Sequence, residues 1–155
     1  MNPTIQEKEL RLEILMPLIK ERLAAGNSVR FGPRGTSMLP LLRQGIDKVE
    51  LSPLPQTLKK YDLPLYQRDN GQYVLHRIVR VEDTYTCVGD NQFAVETGIR
   101  PDQMIGLVTA IYRGEKRHCV KAWDYVLYCR LWHYSRPVRH LWRRGKRWLK
   151  RHLCK

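Results

Sequence analysis

Residues 63–88 read LPLYQRDNGQYVLHRIVRVEDTYTCV, and their spacing decides the fold. Asp69-Asn70-Gly71 is a tight-turn signal between two β-prone runs, because Asn and Gly tolerate the left-handed backbone that a hairpin turn needs. It predicts that Leu63–Gln67 folds back onto Gln72–Val81, a long strand carrying His76. Alternation along that strand puts Val74, His76 and Ile78 on one face. Tyr73, Leu75, Arg77 and Val79 take the other, so Arg77 is expected at the surface or in a salt bridge. Pro64 lacks a ladder donor, which suggests that the first of these strands is an edge. Glu82-Asp83 is the next turn, and Thr84–Val88 leads on to Asp90.

Working outward, Ser28–Phe31, Lys48–Leu51 and Met104–Tyr112 are further short or apolar strands. Short strands joined by tight turns predict a mainly β (α+β) chain, a small bent antiparallel sheet or open barrel. Residues 4–25 are predicted to be a helix. Thr4 and Glu7 make a capping-box pair, and Leu12, Leu15, Ile19 and Leu23 recur at helical spacing. Pro17 is expected to kink or restart it, and Gly26-Asn27 to stop it. Beyond residue 120 the pattern is helical again, broken at Pro137. The chain therefore divides into a helix over 1–27, a β body over 28–112 and a tail over 113–155.

Charge follows the same division. The chain carries a net +13. Residues 1–112 hold 14 Lys+Arg against 13 Asp+Glu, and residues 113–155 hold 14 against 2. All four tryptophans (Trp123, Trp132, Trp142 and Trp148) lie in the basic stretch. No run approaches the roughly 18–20 apolar residues of a membrane span. The N-terminus has mixed charge and no apolar core of a signal peptide. Cys87, Cys119, Cys129 and Cys154 show no C-x-x-C pair and no metal-ligand spacing with histidine, so reduced thiols and no metal or other cofactor are expected. Cys154, beside the C-terminus on a basic tail, is the one position with a lipid-attachment context.

Three short motifs carry the chemistry. Ser37 lies in Gly35-Thr36-Ser37-Met38-Leu39-Pro40, a turn in which Gly35 allows positive φ and Pro40 stiffens the backbone after the serine. His76 sits among apolar neighbours, which depresses its basicity and suits a neutral general base near pH 7. Asp90 lies in Gly89-Asp90-Asn91. A hydroxyl becomes a nucleophile only with a base in reach, best oriented by a third group.

The order Ser37, His76, Asp90 and these contexts resemble the signal peptidase I family, in the branch that pairs serine with histidine. The resemblance covers roughly residues 28–112. It implies the small bent sheet of that family and a serine endopeptidase that cuts after small residues in an extended peptide paired to a sheet edge. It further implies Ser37 as nucleophile, His76 as base and Asp90 as its support, with Met38 and Pro40 at the substrate and backbone N–H groups near Ser37 as oxyanion donors. Glu96 is the nearest acid for the second carboxylate that such enzymes often have. Arg43-Gln44-Gly45-Ile46-Asp47 resembles the family's R-x-G-D with Ile46 inserted, and Tyr61 stands where the family's G-D strand start has glycine before Asp62. A self-cleaving regulator of the same superfamily is the rival enzyme reading, with Ala25-Gly26 as its bond. A peptidase fold without turnover, binding peptides or membranes, is the non-enzymatic one.

Signal peptidases are typically tethered by a transmembrane helix, and this chain departs from that. Over 138–153, Leu141, Trp142, Trp148 and Leu149 recur at helical spacing opposite Arg139, Arg143, Arg147 and Lys150. Such a helix suits the plane of an anionic membrane surface, each basic residue adding about 1 kcal/mol of attraction. Residues 136–155 are therefore expected to hold the protein peripherally at a membrane, with the cytoplasm as its other location. The alternatives are a merely solvated charged face with neither partner, and nucleic acid.

Overall fold

A computed structural model describes residues 5–142, with side chains from Ile14 onward. The elements in order are α1 (Ile5–Ala24), β1 (Val29–Phe31), β2 (Asp47–Ser52), β3 (Pro64–Gln67), β4 (Tyr73–Leu75), β5 (Arg77–Val81), β6 (Tyr85–Val88), β7 (Glu96–Ile99), β8 (Met104–Arg113), β9 (Lys116–Cys119) and α2 (Trp123–Tyr134). A 3-10 turn, Pro101–Gln103, precedes β8, and residues 136–142 are helical again after Ser135. The result is a mainly β, α+β chain with two open antiparallel sheets. One has the order β1-β2-β8-β3-β4 with β9 also on β8, and the other the order β5-β6-β7. β7 and β9 are strands that the sequence pattern does not announce.

The hairpin around Asn70-Gly71 forms. Gly71 has φ +85°, Arg68 N–H donates to Gln72 O at 2.9 Å, and Leu65 pairs with Leu75. Two expectations about its strands need correction. β3 is not an edge, since it lies between β4 and β8. Pro64 is its first residue, so the missing N–H falls at the end of the ladder. Nor is Gln72–Val81 one strand. It breaks at His76, because Ile78 N–H turns to Asp62 O (2.9 Å) and Ile78 O accepts from Tyr61 N–H (2.8 Å), which carries β5 into the second sheet. The break removes the simple alternation. His76 and Arg77 are both buried, each 2 % exposed, and Arg77 is a buried salt-bridge residue rather than a surface one.

α1 covers the larger sheet. Its buried stripe is Met16, Ile19 and Leu23, one residue away from the expected Leu15, which is exposed. Leu12, Thr4 and Glu7 fall outside the described side chains. The helix neither stops nor restarts at Pro17, which is exposed, so water can satisfy the carbonyl that its ring leaves unpaired. Asn27 N–H bonds to Arg22 O and Gly26 N–H to Leu23 O, with Gly26 at φ +79°. That pair of bonds is a Schellman stop, so Ala25-Gly26 is the helix cap. Met16 and Ile19 pack with Leu51, Val49 and Val108 into one core, and Tyr66, Ile78, Cys87 and Leu107 form a second.

The expected boundary at residue 112 falls inside the β8–β9 hairpin, which turns at Gly114 (φ +61°), so the helical part of the tail starts at Trp123. Residues 143–155, including Trp148, Leu149 and Cys154, lie outside the described residues. Cys87, Cys119 and Cys129 are free thiols. Among the described residues no helix is long and apolar enough to cross a membrane.

Candidate active site

Ser37 sits in the turn that carries the chain from β1 to β2. Three contacts pin that turn. Gly35, at φ +90°, donates its N–H to Gln44 Oε1 (2.7 Å); Asn91 donates its backbone N–H to Ser37 O (2.8 Å) and its Nδ2 to Thr36 O (3.1 Å). Behind it, Asp47 receives Arg43 through backbone N–H, Nε and a terminal guanidinium nitrogen at 2.8–3.0 Å. Burial pushes the Asp47 carboxyl up, but Arg43 prevails and holds it below the ordinary carboxylate range. Ile46, the inserted residue, is exposed and leaves Asp47 as the first residue of β2.

His76 occupies the junction between the two sheets. Its Nδ1 lies 3.0 Å from Glu96 Oε1 at the start of β7. Glu96 is itself held by Arg68, whose Nε donates at 2.8 Å, and by Tyr66, whose hydroxyl donates to Oε2 at 3.0 Å. A carboxylate on Nδ1 favours the tautomer with the proton there, leaving the Nε2 lone pair for a substrate or nucleophile. Nε2 faces the backbone of Gly89: a Cβ on that residue would lie 3.0 Å from Nε2 and 2.7 Å from Ser37 O. Gly89 is therefore where the histidine and the serine turn meet, and only a residue without a side chain fits between them.

Ser37, Met38, Arg68, Val74, His76 and Gln92 line one cavity of about 210 Å³. Pro40 does not; it follows a cis peptide bond at the far end of the turn. A larger hollow of about 500 Å³ is bordered by Lys20, Arg100 and Asp102 and shares Arg68 with the first. It contains neither Ser37 nor His76, so the smaller cavity is the one that the two residues share. Among the described residues no group of His, Cys, Asp and Glu is placed to hold a metal ion, and no hydrogen bond joins Ser37 Oγ to His76.

Asp90 does not hydrogen-bond the histidine, although its charge favours the imidazolium from a distance. Its carboxylate takes both forks of Arg77, each at 2.8 Å, and the Tyr128 hydroxyl at 3.0 Å. Arg77 also reaches Tyr61 O, the Tyr125 hydroxyl and Cys129 Sγ. The carboxylate in contact with the histidine is thus Glu96's, and Asp90 is the buried anchor of the loop behind it. Sequence reasoning does not single out Arg68, Tyr66 or Gly89. Arg68 and Tyr66 belong to the predicted hairpin, but only the placement of Glu96 gives them a role. Asp62 accepts Lys59 N–H at 2.8 Å and serves the backbone crossing at Ile78. Neither a protein-family model, nor a curated protein, nor a solved structure matches the chain.

Burial holds the His76 pKa below its ordinary 6.5; Glu96 pulls it up and Arg68 adds to the depression. Burial pushes the Glu96 carboxyl up, yet Arg68 and the histidine keep it below the ordinary range and ionised at neutral pH. His76 is expected to titrate below 6.5 by NMR, and Glu96→Gln to lower it further, because the carboxylate that stabilises the imidazolium is gone. A histidine titrating above 6.5 would contradict this burial. By linkage, this histidine costs no stability above pH 6.5, and stability falls as pH drops from 6.5 to the lower folded value, where the unfolded chain takes up the proton first.

Proposed function

We propose that the chain is a serine endopeptidase of the signal peptidase I type, with Ser37 as nucleophile and His76 as general base. The observation that carries the reading is the meeting of Ser37 and His76 at one small cavity, with an ionised carboxylate on the other ring nitrogen. Ser37 Oγ attacks the scissile carbonyl while His76 Nε2 takes its proton, and the resulting imidazolium is stabilised by Glu96 on Nδ1. His76 then gives the proton to the leaving amine, and water repeats the cycle on the acyl-enzyme. Neither Ser37 N–H nor Met38 N–H has a hydrogen-bond partner among the described residues, which leaves both for the oxyanion. β4 ends its sheet and borders the cavity through Val74, so an extended peptide can add to that edge as a further strand. Asp90 contributes by fixing the loop rather than by touching the histidine.

A fluorophosphonate tests the assignment. Wild type is expected to form one adduct, on Ser37. Ser37→Ala is expected to form none, and His76→Ala to react at least roughly a hundredfold more slowly, the usual scale of losing a general base. An adduct that survives Ser37→Ala, or no adduct on folded wild type with small peptidyl inhibitors as well, would overturn it.

A further inference from the structure

α2 has two faces with different occupants. Its inner face holds the loop beside the serine: Trp132 Nε1 donates to Asp90 O at 2.7 Å, the Tyr128 hydroxyl to Asp90 Oδ2, and, from the helical residues after it, Arg136 to Phe93 O at 2.7 Å. That loop in turn holds Ser37 O and Thr36 O through Asn91. The outer face carries Trp123, Leu127, Leu131 and Tyr134, and the helical residues after Ser135 continue the spacing with Val138 and Leu141, all between 47 and 78 % exposed. Soluble surfaces rarely carry a continuous apolar stripe of this length without an occupant.

Charge identifies the occupant. The sequence after this stripe, residues 143–155, contains Arg143, Arg144, Lys146, Arg147, Lys150, Arg151 and Lys155 and no acid. An apolar, aromatic stripe that leads into a segment whose charged residues are all basic complements a surface with negative charge outside and hydrocarbon beneath. Nucleic acid would match the charge but offers nothing to Leu127, Leu131, Val138 and Leu141.

We infer that α2 seats its outer face on an anionic lipid bilayer, and that this seating tightens the loop at residues 89–93 against the serine turn. The bilayer restrains the helix, the helix restrains Asp90 and Phe93, and the loop restrains Ser37 through Asn91. The inference does not depend on Ser37 being a nucleophile, so it is tested without an activity assay.

The full chain is mixed with vesicles of phosphatidylcholine plus phosphatidylglycerol, or of phosphatidylcholine alone, and monitored by co-sedimentation and amide hydrogen exchange. Binding to the anionic vesicles is expected, with exchange at Asn91 and its neighbours slowed severalfold. Leu127→Asp combined with Leu131→Asp alters only exposed positions. It is expected to keep the wild-type melting temperature, lose roughly tenfold or more in vesicle affinity, and show no added protection in the loop. Absent binding, or equal binding to both vesicle types, would overturn the inference. So would full binding by the double variant, which would assign it to the cationic segment alone, or binding that leaves exchange at 89–93 unchanged. Failure of the peptidase reading would appear separately, as absent fluorophosphonate labelling.

Discussion

Arg77→Met is expected to lower stability by roughly 3–5 kcal/mol, because it leaves Asp90 as a buried charge without its partner. For a chain of this size that is a fall of roughly 6–20 °C in melting temperature. The pair is 3 % and 2 % exposed at the side chains, and the guanidinium also supplies Tyr61 O and the Tyr125 hydroxyl. Burial disfavours its charge, but Tyr125 and Asp90 outweigh it and the pKa is raised. Methionine keeps much of the aliphatic stem and removes every donor. Arg77→Lys is expected to recover only part of the loss, since one ammonium cannot fork onto both carboxylate oxygens. Arg77→Met with Asp90→Leu removes both charges and should be markedly more stable than Arg77→Met alone. A melting temperature of Arg77→Met within about 3 °C of wild type would contradict the buried pair.

Gly89→Ala is expected to strike the site directly. Its Cβ would lie 2.7 Å from Ser37 O and 3.0 Å from His76 Nε2, closer than such atoms approach without displacement. The first obstacle is backbone that also receives Asn91 N–H, so relief requires moving the serine turn. A displacement on the order of 1 Å costs about a hundredfold in a positioned reaction, and an overpacked methyl costs roughly 1–3 kcal/mol in stability. Labelling of Ser37 and the melting temperature are therefore expected to fall together. A variant indistinguishable from wild type in both would remove Gly89 from its place between the histidine and the serine.

The parts of this fold legible in the sequence are the short-range ones. Asn70-Gly71 specifies its own turn, and Gly26-Asn27 its helix stop, because φ preference acts within a few residues. Pro64 marks a missing donor, but not whether the gap falls along an edge or at a strand end. The break at His76 is illegible for a different reason: it depends on Ile78 finding Asp62 rather than Leu65 or Tyr66, a choice made by the packing of two cores. Ser37 and His76 stand out by motif. Between Asp90 and Glu96 the sequence leaves the supporting acid open, and only the placement of β7, with Arg68 and Tyr66 around its first residue, puts Glu96 on Nδ1. Arg77 looks peripheral in the sequence because its partners Tyr125, Tyr128 and Cys129 lie about fifty residues further on, in the tail.

That separation has a consequence for synthesis. The serine turn, His76 and Glu96 leave the ribosome well before α2, and both sheets can pair in its absence. Asp90 and Arg77 then wait beside an open flank until Tyr125, Tyr128 and Trp132 arrive to close it. The order of emergence thus works as a timer: the serine turn and the His76–Glu96 pair form first, and the Asp90 loop that packs against them is closed only when α2 docks.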